Sequence, residues 1–145
     1  MSRGFEAVNT IDIDAPRADV WDALTKPEKV KQYMHGTEMS TDWQEGSPIS
    51  WKGEWKGKPY EDKGKVLEVN PQQRLKYTHW SPMGGSEDKP ENYHTVTYQL
   101  SGDDGKTTLT LTQDNNATQE EADKMAKDNW GPVLEGLKKT AEKGG

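Results

Sequence analysis

The feature that most constrains this chain is a change of hydrophobic period along it. Phe5 to Asp14 alternates apolar and polar residues, Arg17 to Met34 carries helical spacing, Thr37 to Asn115 returns to alternation, and from Thr118 a single helical face runs to the end. Periods of two and of 3.6 residues belong to different elements. The chain must therefore build one strand, a small helical pair, a run of strands and one long closing helix. A sheet of that size needs one face covered, and the closing helix is the one long amphipathic stripe available to cover it. The expected fold is α+β: a curved sheet gripping the C-terminal helix, with a pocket left between them.

Local signals fill in this outline. Phe5, Ala7, Ile11 and Ile13 share one face of the first strand, and Glu6, Thr10, Asp12 and Asp14 share the other. Pro16 suits a first helical turn, with Val20, Trp21 and Leu24 on its inner side. Pro27 opens a second short helix whose inner face is Val30, Tyr33 and Met34, and Gly36 ends it. About six strands fit between Thr37 and Asn115, punctuated by Gly and Pro clusters. Ile49, Trp51, Gly53 and Trp55 share a face, as do Leu75, Tyr77 and His79, with Trp80 on the reverse. Val96, Tyr98 and Leu100 pair by pattern with Leu109 and Leu111 across Asp103-Asp104-Gly105. Ser81 to Asn92 reads either as a flap over a cavity mouth, which is favoured, or as a disordered connection. Thr118 and Glu121 form a capping box, after which Ala122, Met125, Ala126, Asn129, Trp130, Val133, Leu134, Leu137 and Ala141 keep one face. Gly131-Pro132 predicts a kink beside Trp130.

Length and composition narrow the function. The 145 residues fit one domain spanning 1–145. Ile, Leu, Val and Phe together fall below the roughly 20% mark associated with disorder, but the net charge is only −6, and six Trp and five Tyr supply large rings. A core of few large rings packs with gaps more readily than one of Leu and Ile, and such gaps suit a small hydrophobic molecule. The acidic balance disfavours nucleic acid. No apolar run approaches the roughly 20 residues of a membrane span, the start carries no secretory signal, and the absence of cysteine fits a reducing compartment. A soluble cytoplasmic protein is expected, without membrane insertion.

The candidate pocket wall is Trp51, Trp55, His79, Tyr98, Met125, Asn129 and Trp130, with the Asn129 amide offered to a polar ligand group. Plain core packing is the competing role for Met125, Asn129 and Trp130, and both can hold at once. His79 lies in register with Leu75 and Tyr77, His94 reads as opposite Val96 and Tyr98, and His35 abuts a turn. A lone strand His is more often a structural hydrogen-bonding residue; with Asp42 or Glu61 nearby, His79 could serve acid-base chemistry. No His pair has metal-ligand spacing, and no nucleophile motif or phosphate loop is present. No cofactor, metal or catalytic residue is expected.

Collected in order, Ile13-Asp14-Ala15-Pro16, Val20-Trp21, Leu24-Thr25, Pro27-Glu28, Asp42 with Glu45-Gly46, Gly64-Lys65-Val66-Leu67-Glu68-Val69, Pro71, Arg74-Leu75, Thr108-Leu109-Thr110-Leu111 and Asn129-Trp130-Gly131 with Leu134 and Leu137 span nearly the whole chain. This collinear set resembles the activator-of-heat-shock-chaperone-ATPase-like (AHSA-type) family of the START-like, SRPBCC helix-grip superfamily, which also holds polyketide cyclases and the birch-pollen-allergen fold. Where that family commonly carries a Trp in the second helix, this chain has Tyr33-Met34. The resemblance implies a β-α-α-β₆-α order, a seven-stranded antiparallel sheet around the C-terminal helix, and a hydrophobic cavity between. Binding of a small hydrophobic or lipid-like ligand is the expected function. A polyketide cyclase or hydratase-like activity, with His79 or Tyr98 moving protons, is the alternative. A chaperone-interaction module follows only from the family name, and with no evident binding patch a chaperone partner is not expected. The expected state is a monomer or weak homodimer.

Overall fold

The computed structural model of the chain describes residues 5–33, 36–55, 57–81, 87–89, 92–102, 105–116 and 118–143, with the side chains of Trp55 and Asn129 outside that description. It forms β1 (Phe5–Ile13), α1 (Arg17–Thr25), α2 (Pro27–Tyr33), β2 (Glu38–Ser40), β3 (Pro48–Trp55), β4 (Lys58–Asn70), β5 (Arg74–His79), β6 (His94–Ser101), β7 (Thr107–Asn116), α3 (Gln119–Lys124), a π-helical turn (Met125–Trp130) and α4 (Gly131–Glu142). The changes of period near Thr37 and Thr118 thus fall at element boundaries. Met34, His35, Asp103, Asp104 and most of the expected flap lie outside the described residues.

The seven strands make one antiparallel sheet in the order β1-β7-β6-β5-β4-β3-β2. From β2 to β7 every strand pairs with its neighbours in sequence, so that part is a meander; β1 alone reaches across the chain to β7. Tyr98 faces Leu111 and Leu100 faces Leu109 across the β6–β7 ladder, as the alternation predicts. β4 slips its register against β5 between Val66 and Glu68, an irregularity of the kind that adds twist and curvature to a sheet. Beside that slip Gly64 lies so close to β5 that a Cβ would run into the Thr78 carbonyl. Only glycine lets the strands approach there.

Phe5 departs from the expected inner face: it is 45% exposed, because the β1 register shifts between Phe5 and Ala7. Ala7 and Ile13 are buried as expected. Asn9, on the same inward register, donates its amide to the Ala126 carbonyl at 2.7 Å.

That carbonyl belongs to the π-helical turn, which is the form the expected kink takes. Pro132 brings no N–H to the ladder, the helix widens over Met125–Trp130, and Asn9 reaches a backbone oxygen within the widened turn. At the helix start, Thr118 Oγ1 accepts from the Glu121 N–H at 3.0 Å, the cap the sequence predicts. α4 buries Leu134, Leu137 and Ala141 and packs against α1 and α2. Gly136 makes the contact with α2 possible, since a Cβ there would lie 2.7 Å from Tyr33 Cβ. The Tyr33 hydroxyl donates to the Ala23 carbonyl at 2.7 Å and the Trp43 indole to the Thr25 carbonyl at 3.0 Å, so rings from outside satisfy carbonyls at the end of α1.

Candidate functional site

The inner face of the sheet carries a continuous row of rings. Trp51 on β3, Tyr77 on β5, Tyr98 on β6 and Trp130 on the π turn follow one another with centroids 5.2, 6.0 and 6.5 Å apart, tilted or edge-on. Such geometries favour aromatic quadrupoles over face-to-face stacking. Each ring also needs its polar atom satisfied. The Trp130 indole donates to Gln113 Oε1 at 2.9 Å, and the Tyr77 hydroxyl donates to the Tyr98 hydroxyl at 3.2 Å, both in buried surroundings. Burial pushes the Tyr98 hydroxyl up to about 12 against a smaller opposing pull from the Tyr77 hydrogen bond. Burial first, then Tyr98, raises Tyr77 well above the usual phenol range. Both phenols therefore keep their protons at neutral pH. Tyr98, already an acceptor from Tyr77, has its own proton left to give and is a poor base.

At the Trp51 end the row meets a polar pair. Asp62 lies opposite Trp51 in the β3–β4 ladder, so both side chains share the inner face. The His79 ring sits edge-on to Trp51 at 5.1 Å, and its Nε2 lies 3.0 Å from Asp62 Oδ2. The two side chains are 28% and 17% exposed. The second carboxylate oxygen, Asp62 Oδ1, is buried and has no hydrogen-bond partner among the described residues. Leaving such an acceptor unmet costs on the order of 1–3 kcal/mol, and native structures carry few of them.

Four of the expected pocket residues, Trp51, His79, Tyr98 and Trp130, are thus brought together. Met125 is half-buried and packs on the margin of the same core. The side chains of Trp55 and Asn129 lie outside the described residues. The partner of His79 is neither of the carboxylates expected: Asp42 accepts from the Gln44 N–H in a local turn, and Glu61 is exposed beside Asp62 on the other face of β4. His94 does not oppose Val96 and Tyr98; two residues before Val96, it shares their face by strand alternation, pairs with His79 in the ladder, and bonds the Asp114 carbonyl through Nδ1 at 2.8 Å.

Asp62, Tyr77 and Gln113 are the contributors the sequence reading missed. Tyr77 and Gln113 continue inward registers already legible in Leu75 and in Leu109 and Leu111. Where a cavity was expected the rings interlock: Trp51, Tyr77, Tyr98 and Trp130 are 5%, 6%, 3% and 7% exposed. Two hollows of about 290 and 370 Å³ lie elsewhere, at the opposite ends of β5 and β6, and both are bordered by Arg17 and Gly102. Among the described residues no group of three or more His, Cys, Asp or Glu is placed to hold a metal, and no helix is long and apolar enough to cross a membrane.

A curved seven-stranded antiparallel sheet, two short helices after β1 and a C-terminal helix over an aromatic inner face define the helix-grip, START-like class. Within it, the chain belongs to the family described as Activator of Hsp90 ATPase homolog 1-like protein, whose profile matches residues 14–142. A protein of Cytophaga hutchinsonii solved in solution is similar at 50% identity, covering 99% of this chain and 97% of that one, with a TM-score of 0.83. DynU16, a protein in the dynemicin biosynthetic locus, is similar at 21% identity over 96% of this chain and 48% of its own, with a TM-score of 0.76. The Aha1 dimer of Colwellia psychrerythraea is similar at 22% identity over 95% of this chain and 96% of its own, with a TM-score of 0.70. The last two share the fold. No protein of curated function matches the chain.

Proposed function

We propose that this protein binds a small hydrophobic or lipid-like molecule between the inner face of its sheet and the C-terminal helix, without acting on it chemically. The observation that carries this reading is the ring row Trp51–Tyr77–Tyr98–Trp130, which ends beside two half-buried side chains, His79 and Met125. Flat rings present large apolar area at low conformational cost, and a π-helical turn at the row's far end is the kind of helix irregularity that recurs at functional sites. Entry requires the rings to part, so binding selects an opened conformer and its apparent affinity is reduced by the rarity of that conformer. That a fold relative comes from a biosynthetic locus agrees with small-molecule work. That another is a dimer agrees with a weak homodimer here.

The test is uptake of an apolar fluorescent dye by the folded protein, together with native mass spectrometry of protein purified from its own host. One dye per chain is expected, with uptake abolished by W130S and reduced at least tenfold by M125E, the latter remaining cooperatively folded. Uptake that both variants leave intact, or none by the wild type, overturns the reading. A second reading, proton transfer in the same place, is favoured by the His79–Asp62 pairing. It requires turnover of a polyketide-like substrate that H79A loses while still binding it.

A further inference from the structure

The buried, unpaired oxygen of Asp62 says something about the ligand beyond its being apolar. We infer that the molecule bound by this protein carries a hydrogen-bond donor, a hydroxyl or an amine on an apolar body, and that this donor is received by Asp62 Oδ1. The inference rests on the binding role proposed above.

Three observations converge on it. Oδ2 of the same carboxylate is engaged by His79 at 3.0 Å, which fixes the plane of the group and leaves Oδ1 as the one unmet acceptor. Trp51, directly across the ladder from Asp62 and edge-on to His79, gives an apolar body a surface beside that oxygen. Around the pair, the nearest described inward positions on β3 and β4 bring no cation: Gly53 has no side chain, the Tyr60 hydroxyl is held by Thr37 at 2.7 Å, and Lys58, one inward position beyond Tyr60, is exposed. Among the described residues the bases beside the site are His79, whose Nε2 is already engaged, and His94 across the ladder from it, whose Nδ1 bonds the Asp114 carbonyl, so a ligand carboxylate would face Asp62 with both already committed. The site thus accepts a donor and rejects an acid, because a buried polar group discriminates most strongly against an analogue that leaves it unpaired.

A naphthalene series differing in one substituent tests this, each member titrated into the wild-type protein and followed by ¹H–¹⁵N correlation spectra. 2-Naphthol should bind at least tenfold more tightly than 2-methoxynaphthalene, which can only accept, and 2-naphthoate should bind more weakly than either. In D62L the advantage of the naphthol over 2-methoxynaphthalene should fall below threefold. Equal binding of naphthol and methoxynaphthalene by the wild type overturns the inference whether or not D62L folds, as does an advantage that survives in D62L. Either result leaves apolar binding standing. Failure of every member of the series to bind overturns the binding role and this inference together.

Discussion

Individual atoms decide how closely β4 and β5 approach. At Gly64 any side chain meets the Thr78 carbonyl, a fixed backbone group that cannot rotate away, unlike the tip of a flexible side chain. Overpacking of this kind costs typically 1–3 kcal/mol where neighbours can yield. Here they cannot, so G64A should lose about 3 kcal/mol or more in urea unfolding, whereas alanine at Gly131, whose Cβ would find its nearest neighbour at 3.7 Å, should change stability far less. The buried phenols give a second residue-level expectation. Burial raises Tyr33, Tyr77 and Tyr98 above the phenol range, Tyr98 to about 12. The unfolded chain ionises its tyrosines near 10, so it releases protons first as pH rises. The stability these groups contribute is whole below about pH 10 and is lost as pH rises above it, for Tyr98 through about 12. Absorbance at 295 nm should show these three phenols ionising only with loss of the near-ultraviolet circular dichroism, and Y98F should move that transition upward.

At the scale of elements, the π turn is held from two directions: Pro132 withholds a donor, and Asn9 on β1 satisfies the Ala126 carbonyl. N9A should therefore destabilise by about 1–2 kcal/mol. If both features sustain one geometry, P132A in the N9A background should recover part of that loss, with a coupling of at least about 0.5 kcal/mol in a double-mutant cycle. Additive effects would mean that each acts alone. The irregularity was visible in Gly131-Pro132, but its form was not, because nothing in a strand pattern says that an inward Asn will meet a helix more than a hundred residues later. The same limit explains the site. Trp51, Tyr98 and Trp130 were legible because alternation and helical spacing fix their faces once one burial choice is made. Asp62 was not: Lys58 to Lys65 carries no aliphatic residue whose alternation would fix a face, and its face is set by the ladder with β3. His94, two residues before Val96, has the parity that puts it on the Val96 face, and the ladder keeps it there. The filling of the inner face by interlocked rings depends on centroid spacings that no periodicity encodes.

For the molecule as a whole, the sheet is a meander from β2 to β7 completed by β1 on β7, and the last helix is bonded to the chain at the end of β1. Three links tie the end of β1 and the chain entering α1 to the rest. Thr107 donates to the Ala15 carbonyl at 2.8 Å, Lys138 Nζ to the Asp12 carbonyl at 2.9 Å, and the Asp14 N–H to Glu142 Oε2 at 2.9 Å. Long-range closure is entropically costly, so contacts that form only in the closed state carry weight beyond their exposure. Glu142 sits at the centre of two of these links, since it also pairs with Lys138 at 2.9 Å. The Asp14 backbone hydrogen bond, followed by that from Lys138, holds its carboxyl below the usual range. A carboxyl depressed in the folded state stabilises it fully above the unfolded value, near 4.3, and the stabilisation is lost as pH falls through the folded value. Both partners face solvent, so the effect is modest and weakens with salt. In low salt the wild type should lose stability more steeply than E142Q as pH falls below about 4.3, with the two curves converging at the acid end. Hydrogen exchange should show the loss first in the β1 amides that pair with β7, because the clasp secures that edge and leaves the meander intact. Parallel acid profiles for the two proteins, or first opening at β2, would mean that Glu142 does not secure this closure.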